Sequence, residues 1–295
     1  MGPITPYLNA TTCIFGYRRP RHLKLVLDAL EEDPLAISTR VEIFLDGPKT
    51  VWDRFKCWRV WLEARKPRQF AQVTVYRSKK NKGLARSVTQ GIRQVLKKAD
   101  AVIVLEDDIM PLPGFLVFMN EALNRYRRHR KVMQVSAYAY PVPGTREKAS
   151  FLPLTSCWGW GTWRRAWRHY GLCRKKAAKD LASPRFLKRM DLDGSYPYGK
   201  LLQDVVDGKS DTWGVIWYWN LLRQGGLTLF PPQSYVQNIG WDGSGTHGDL
   251  RGYARQGSKK IRPSGVPHWP GRVESDQPML DKLRKLFREK LRYPC

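Results

Sequence analysis

The residues best suited to chemistry stand side by side: Glu106-Asp107-Asp108 follow directly on the apolar, β-branched run Val102-Ile103-Val104-Leu105. Three adjacent carboxylates repel one another and are costly to hold half-buried unless a hard cation such as Mn2+ or Mg2+ neutralises them. Such a cation keeps coordination positions open for phosphate oxygens, so the run reads as a metal site coupled to a diphosphate ligand. The competing reading is an exposed acidic turn ahead of the next helix, where negative charge is also favourable. Farther on, Asp211 stands before a helical pattern from Thr212 to Arg223 and is the candidate general base, with Asp204 and Asp207 as rivals close by. Its competing reading is a helix cap.

Other polar residues stand where strands end. Asp46-Gly47 closes the run Phe44-Leu45, and in an open α/β sheet the carboxyl ends of strands line the ligand crevice. A carboxylate there suits recognition of a base or ribose, and an Asp-Gly turn without a ligand fits as well. Gly16-Tyr17-Arg18-Arg19-Pro20 places two guanidinium groups after the first strand, where they suit a phosphate or a base. Asn81 to Ser87, with Arg86, opens a helix whose free amides favour an anion. Trp158 and Trp160 have glycine neighbours and flat apolar faces that suit a sugar acceptor, whereas the other tryptophans of the second half read as core.

The elements that must position these groups form an α/β pattern, with short β-rich runs alternating with amphipathic helices from Leu8 to Met110. Strands are expected at Thr11 to Phe15, Val41 to Leu45, Val73 to Tyr76, Ala101 to Leu105 and Val132 to Ala137. Leu23, Val26, Leu27 and Leu30 share one helical face, as do Leu84, Val88, Ile92, Val95 and Leu96. A helix from Thr50 to Ala64 carries Val51, Phe55, Trp58 and Leu62 on one side. Residues 138 to 250 are rich in Trp, Gly, Pro and Tyr with weak periodicity, and read as loops and short elements over the carboxyl edge of a mostly parallel sheet.

The chain divides into a domain over residues 1–250 and a basic extension over 251–295, where Gln277 to Leu291 forms an amphipathic helix. Leu280, Leu283, Leu286, Phe287 and Leu291 are its apolar residues, and its basic face suits an anionic membrane; the alternative is packing on the domain. A net charge of +26 favours some anionic partner without choosing among nucleic acid, lipid and phosphorylated substrate. No apolar run is long enough to span a bilayer. The five cysteines form no CxxC pair and read as reduced thiols of a cytoplasmic protein, either free or peripheral on the inner face of the membrane.

The order of these pieces resembles bacterial glycosyltransferases of the GT-A (Rossmann-like) fold, particularly those related to N-acetylglucosaminyltransferase I. The resemblance runs from about Thr12 to Gly248 and is carried by Cys13 to Pro20, Phe44 to Gly47, Asn81 to Arg86, Val104 to Asp108, Val135 to Tyr138, Cys157 to Trp163, Asp211 to Trp213 and Gly245 to Gly248. It implies that Asp108 holds the metal, Asp107 contacts the ribose and Glu106 lies near the sugar. It further implies that Asp46 contacts uracil, that Arg18 or, with a one-residue slip, Arg19 lies beside the nucleotide, and that His247 sits on a loop closing over the donor. Where the better-known enzymes carry a pair of acids before Trp, this chain has Ser210-Asp211-Thr212-Trp213.

The resulting expectation is a metal-dependent, inverting transferase that moves a sugar from a UDP-sugar to a glycan or lipid-linked acceptor. A nucleic-acid-binding protein or metal-dependent nuclease would account for the charge, but acids at a strand end repel phosphates without a metal, and no nucleic acid is expected as a partner. A non-catalytic carbohydrate-binding protein leaves the acids without a task.

Overall fold

A computed structural model describes residues 9–142, 147–242 and 267–290. The first part alternates strand and helix: β1 (Thr11–Gly16), α1 (Pro20–Glu31), β2 (Arg40–Leu45), α2 (Asp53–Ala64), β3 (Gln72–Arg77), α3 (Leu84–Leu96) and β4 (Ala101–Glu106). These four strands exceed the expected runs by at most one residue at either end. They pair in parallel in the order β3-β2-β1-β4. β1 and β4 are covered on both faces, so β4 is a nearly continuous apolar run rather than an alternating one, and β1 buries even Thr11 and Thr12.

The second part adds β5 (Ile109–Pro111), α4 (Phe115–Arg125), β6 (Val132–Ser136), β7 (Ser150–Leu152), β8 (Trp160–Trp163), α5 (Arg164–Trp167), α6 (Arg174–Leu181), α7 (Pro184–Met190), α8 (Tyr198–Val206), α9 (Trp213–Arg223), β9 (Leu227–Phe230), β10 (Val236–Asn238) and α10 (Gln277–Lys290). Among the described residues the main sheet has eight strands in the order β3-β2-β1-β4-β8-β6-β9-β7. Only β8, between β4 and β6, and β7, at the edge, oppose the shared direction. A short antiparallel pair, β5 and β10, stands apart from it. The molecule is thus the expected α/β type, a mostly parallel sheet flanked by helices. No described helix is long and apolar enough to cross a membrane.

Two particulars differ from the sequence reading, and a third decides between its alternatives. Residues 138–250 hold three strands of the main sheet, not only loops over its edge. Gly161 interrupts the β-rich pattern of β8, yet a Cβ there would meet the Val102 carbonyl oxygen at 3.1 Å, so glycine lets β8 approach β4. The stripe Val51, Phe55, Trp58 and Leu62 of α2 faces outward; the helix buries Asp53, Cys57, Val60, Glu63 and Ala64 instead. In α10, Met279, Leu280, Leu283, Leu286 and Phe287 are all buried, with the Phe287 ring 5.4 Å from that of Tyr140. These five side chains place the apolar face of the helix in the domain core, the packing alternative of the sequence reading, and Leu291 lies outside the described residues.

On the face of the sheet covered by α3, the rings of Phe15, Phe44 and Tyr76 stack across three neighbouring strands at 5.2 and 4.8 Å. A Cβ at Gly91 would come within 2.6 Å of the Phe15 ring, so the glycine brings α3 down onto this ladder. The buried stripe Val88, Ile92, Val95 and Leu96 is the expected one, whereas Leu84 is exposed.

The docking of α10 has a measurable consequence. Leu283 is fully buried, so Leu283→Ala should lower stability by about 2–4 kcal/mol in urea denaturation. A loss below about 0.5 kcal/mol, the level of an exposed substitution, would mean that the helix is not docked in solution.

Candidate active site

The sheet grows in two directions from β1, with β2 and β3 on one side and β4 and its neighbours on the other. Loops leaving the carboxyl ends of β1 and β4 therefore diverge, which opens a crevice at the topological switch point. Asp107 follows β4 here, its amide bonded to the Phe15 carbonyl at 2.9 Å. A Cβ on Gly16 would lie 3.5 Å from Asp107 Oδ2, so the end of β1 and the carboxylate are in direct contact.

Arg19 holds the acids together. It is the last residue before α1, which Pro20 starts with a preset φ and no amide hydrogen to leave unpaired. One guanidinium nitrogen donates to Asp107 Oδ1, and the other donates to Asp108 Oδ2 at 2.9 Å. The Tyr17 amide donates to Asp107 Oδ2 at 3.1 Å. Burial, opposed by Arg19 and reinforced by Asp108, lifts the Asp107 carboxyl above its usual range. Burial works against the Arg19 charge, but the two carboxylates outweigh it and hold the guanidinium firmly protonated. Glu106, on the last position of β4, falls on the same pleat face as Val102 and Val104.

Asp108 is the more accessible of the two acids, its side chain 18% exposed against 3% for Asp107. Its backbone carbonyl accepts the Ile239 amide at 2.8 Å, and Gly240 packs so closely on its carboxylate that any Cβ there would overlap it. Among the described residues, no three His, Cys, Asp or Glu side chains are grouped to hold a metal by themselves. The donor set instead suits a hard cation that takes one or two carboxylates from the protein and completes its shell with ligand phosphates.

Asp46 is buried and fully engaged. Its oxygens accept the amides of Gly47 at 2.8 Å, Lys82 at 2.8 and 3.1 Å and Gly83 at 2.9 Å. The carboxylate thereby ties the end of β2 to the turn that starts α3. Gly47 has no room for a side chain, since a Cβ would lie 2.5 Å from the Lys80 backbone. Arg86 is exposed in the first turn of α3.

Asp211 is exposed beside this turn, with its Oδ2 3.7 Å from where a Gly83 Cβ would be. It does not cap the following helix, whose N-cap position is Thr212 without a side-chain bond. Its rivals are occupied: Asp204 pairs with Lys200, and Asp207 accepts from Gln203 at 2.7 Å and Lys209 at 2.9 Å.

Arg18 points away from Arg19, donating to Asp53 at 3.2 Å with its side chain 47% exposed. Asp53 also accepts the Tyr17 hydroxyl at 2.8 Å and the Thr50 hydroxyl at 3.0 Å. The Tyr17 bond, with those from Thr50 and Arg18, outweighs burial and holds Asp53 well below the usual carboxylate range. Burial, with the bond to Asp53, pushes the Tyr17 phenol up to about 12.

The two expected acceptor tryptophans part company. Trp158 is half-buried and stands edge-on to Tyr138 at 4.7 Å and Trp241 at 6.2 Å. Trp160 is fully buried against Trp167, Trp213 and Trp217, so no face of its ring is open to a sugar; it is core, and only the even spacing in a Gly-Trp-Gly segment made it look like its neighbour. His247 lies outside the described residues.

Sequence reasoning missed the contributions of Tyr17, Asp53, His22 and the 239–242 segment. His22 Nε2 lies 3.3 Å from the Ile239 carbonyl and 3.2 Å from Asp242 Oδ2, closing the crevice from the side of α1. Nothing in the local pattern relates His22 to a residue more than 200 positions away; this is a tertiary contact.

No family model matches this sequence, and no curated protein matches it. Among solved structures, the chain is similar to mannosyltransferase PcManGT from Pyrobaculum calidifontis, in complex with GDP-Man and Mn2+, at 12% identity over 74% of this chain and 75% of that one, with a TM-score of 0.42. It is also similar to GalNAc-T7 with UDP, GalNAc and Mn2+, at 11% identity over 97% of this chain but 57% of that one, with a TM-score of 0.47. Likenesses this loose carry neither fold nor site, and both rest on the strand order and side chains described above.

The engagement of Asp46 predicts a structural cost. Asp46→Ala removes a buried acceptor of several backbone amides, and hydrogen bonds to charged groups each contribute about 1.5–3 kcal/mol. The variant should lose at least about 1.5 kcal/mol in denaturant unfolding. Parental stability would show that the carboxylate does not organise the turn.

Proposed function

We propose that the chain is a nucleotide-sugar-dependent glycosyltransferase of the GT-A type, moving a hexosyl or N-acetylhexosaminyl group from a UDP-sugar to a glycan or lipid-linked acceptor in polysaccharide biosynthesis. One observation carries this reading: Asp107 and Asp108, paired by Arg19, stand at the switch point between β1 and β4. The structural neighbours with bound nucleotides and Mn2+ are in keeping with it but do not add weight at their TM-scores.

In this reading Asp108, the more exposed acid, binds Mn2+ or Mg2+, and Asp107 and Glu106 face the ribose and sugar. When bound, the cation would offset charge on the leaving diphosphate. Arg86, exposed at the start of α3, would meet the anionic donor, and the Asp46-bound turn would hold α3 in register for it. Arg18 would flank the nucleotide from the far side of Tyr17, and Trp158 would offer a ring edge to the acceptor.

Asp211 would accept the proton of the acceptor hydroxyl. The freed oxygen then forms a bond to the anomeric carbon as the bond from that carbon to the diphosphate oxygen breaks on the opposite face, which inverts the centre. What supports the choice is negative as well as positive: Asp204 and Asp207 are engaged with neighbouring side chains, while Asp211 stands exposed beside the turn that Asp46 fixes.

Turnover of UDP-sugars with Mn2+, lost on chelation, tests the reading. Asp108→Ala should abolish metal-dependent donor binding in calorimetry while leaving the fold intact. Asp211→Asn should keep donor affinity and reduce transfer by about 10²-fold to 10⁴-fold, the usual weight of a general base. Transfer at the parental rate in the asparagine variant would place the base elsewhere, and retention at the anomeric centre by NMR would exclude the direct displacement.

A further inference from the structure

One flank of the molecule departs from an ordinary solvated surface. Val51, Trp52, Phe55, Trp58 and Leu62 are exposed to 71%, 88%, 63%, 44% and 40%. At about 100° per residue they fall on one side of α2 and its leading turn, opposite the buried Cys57, Val60 and Ala64. The Phe55 and Trp58 rings lie 5.9 Å apart on this outer side. Single exposed apolar residues are common, but a contiguous aromatic patch marks a surface that meets something apolar.

The charges around the patch say what that is. Lys49, Arg54, Lys56, Arg59, Arg65 and Lys66 are all exposed between and beside these residues. The only acids from 47 to 67, Asp53 and Glu63, are buried and already bound, Asp53 by Tyr17 and Arg18 and Glu63 by Lys66 and Arg68. Protein interfaces deplete lysine from their apolar centres. Aromatic and aliphatic side chains interleaved with Lys and Arg are instead what a helix needs to lie in a bilayer interface, rings at the headgroup level and cations on anionic lipid phosphates.

We propose that α2 and the turn before it form a docking surface for an anionic lipid membrane, with Trp52, Phe55 and Trp58 inserting and the surrounding cations binding lipid phosphates. This face differs from the one expected on α10, whose apolar residues are spent in the core. It also starts at the crevice: Asp53, the first residue of α2, is bonded to Tyr17 and Arg18, next in sequence to Arg19. Docking would therefore bring the mouth of the crevice to the membrane surface. The proposal stands apart from the glycosyl-transfer reading, because it is measured without donor or acceptor.

A protein of net charge +26 adsorbs to anionic vesicles through charge alone, so the test must separate insertion from adsorption. The full-length chain is co-sedimented with phosphatidylcholine vesicles with and without phosphatidylglycerol, beside Trp52→Ser/Phe55→Ser/Trp58→Ser, which keeps every cation, and Arg54→Gln/Lys56→Gln/Arg59→Gln. Circular dichroism melting checks each fold, and Trp52→Ser alone supplies the same reading if the triple variant melts early. The parent should bind phosphatidylglycerol vesicles, the apolar variant at least about tenfold more weakly, and the charge variant weakly with a flatter salt dependence. Equal binding by parent and apolar variant would reduce the effect to adsorption and overturn the proposal. So would a parent that ignores vesicles but forms a dimer lost in the apolar variant, since the patch would then meet a second copy.

Discussion

Two carboxylates at the end of β4 share the guanidinium of Arg19, and the geometry of the crevice follows from the need to keep that charge balance. Asp107 is buried, so its ionised form is tolerable only with a cation and amide donors at contact distance. Arg19 can supply the cation because Pro20 ends the β1 loop after three residues and starts α1, which fixes the direction in which the guanidinium leaves the backbone. Gly16 lets the end of β1 lie against the carboxylate, and Gly240 does the same for Asp108 from the far end of the chain. Removing the guanidinium would leave two negative groups side by side with one of them out of reach of water.

The same principle, a buried carboxylate satisfied by directed donors, shapes the neighbouring parts. Asp46 collects amides from the turn before α3, and Asp53 collects hydroxyls and a guanidinium from the loops after β1 and β2. Asp46 joins the end of β2 to the loop after β3, and Asp53 joins the loop after β2 to the loop after β1. The result is a carboxyl edge whose loops are held by charge-assisted bonds rather than by packing, above a sheet whose stacked Phe15, Phe44 and Tyr76 rings fix the strands below.

Much of this was legible in the sequence because it is local. β1 to β4 are short β-rich runs, and the acids, Asp46 and Arg19 fall at or just after their ends by the rule that strand termini line the crevice. What was not legible is tertiary. Which of Arg18 and Arg19 meets the acids depends on where α1 starts, and a one-residue slip sends the neighbour to Asp53. α2 has apolar residues on two sides, and composition favoured the aromatic side as core although the smaller Cys57, Val60 and Ala64 are what pack on α1 and β2. Trp158 and Trp160 both adjoin Gly159, and only the insertion of β8 between β4 and β6 decides that the second is enclosed.

The charge balance at β4 is open to direct measurement. Thermal and urea unfolding of the parent and of Arg19→Gln, each followed across a Mn2+ titration, reads whether one cation holds two acids and whether a metal can take its place. The variant should lose about 3 kcal/mol or more without metal, the scale for breaking a buried ion pair, and recover a large part of it as Mn2+ is added, with a smaller response in the parent. A variant as stable as the parent in the absence of metal, or one that Mn2+ leaves unchanged, would show that Arg19 does not balance the two acids.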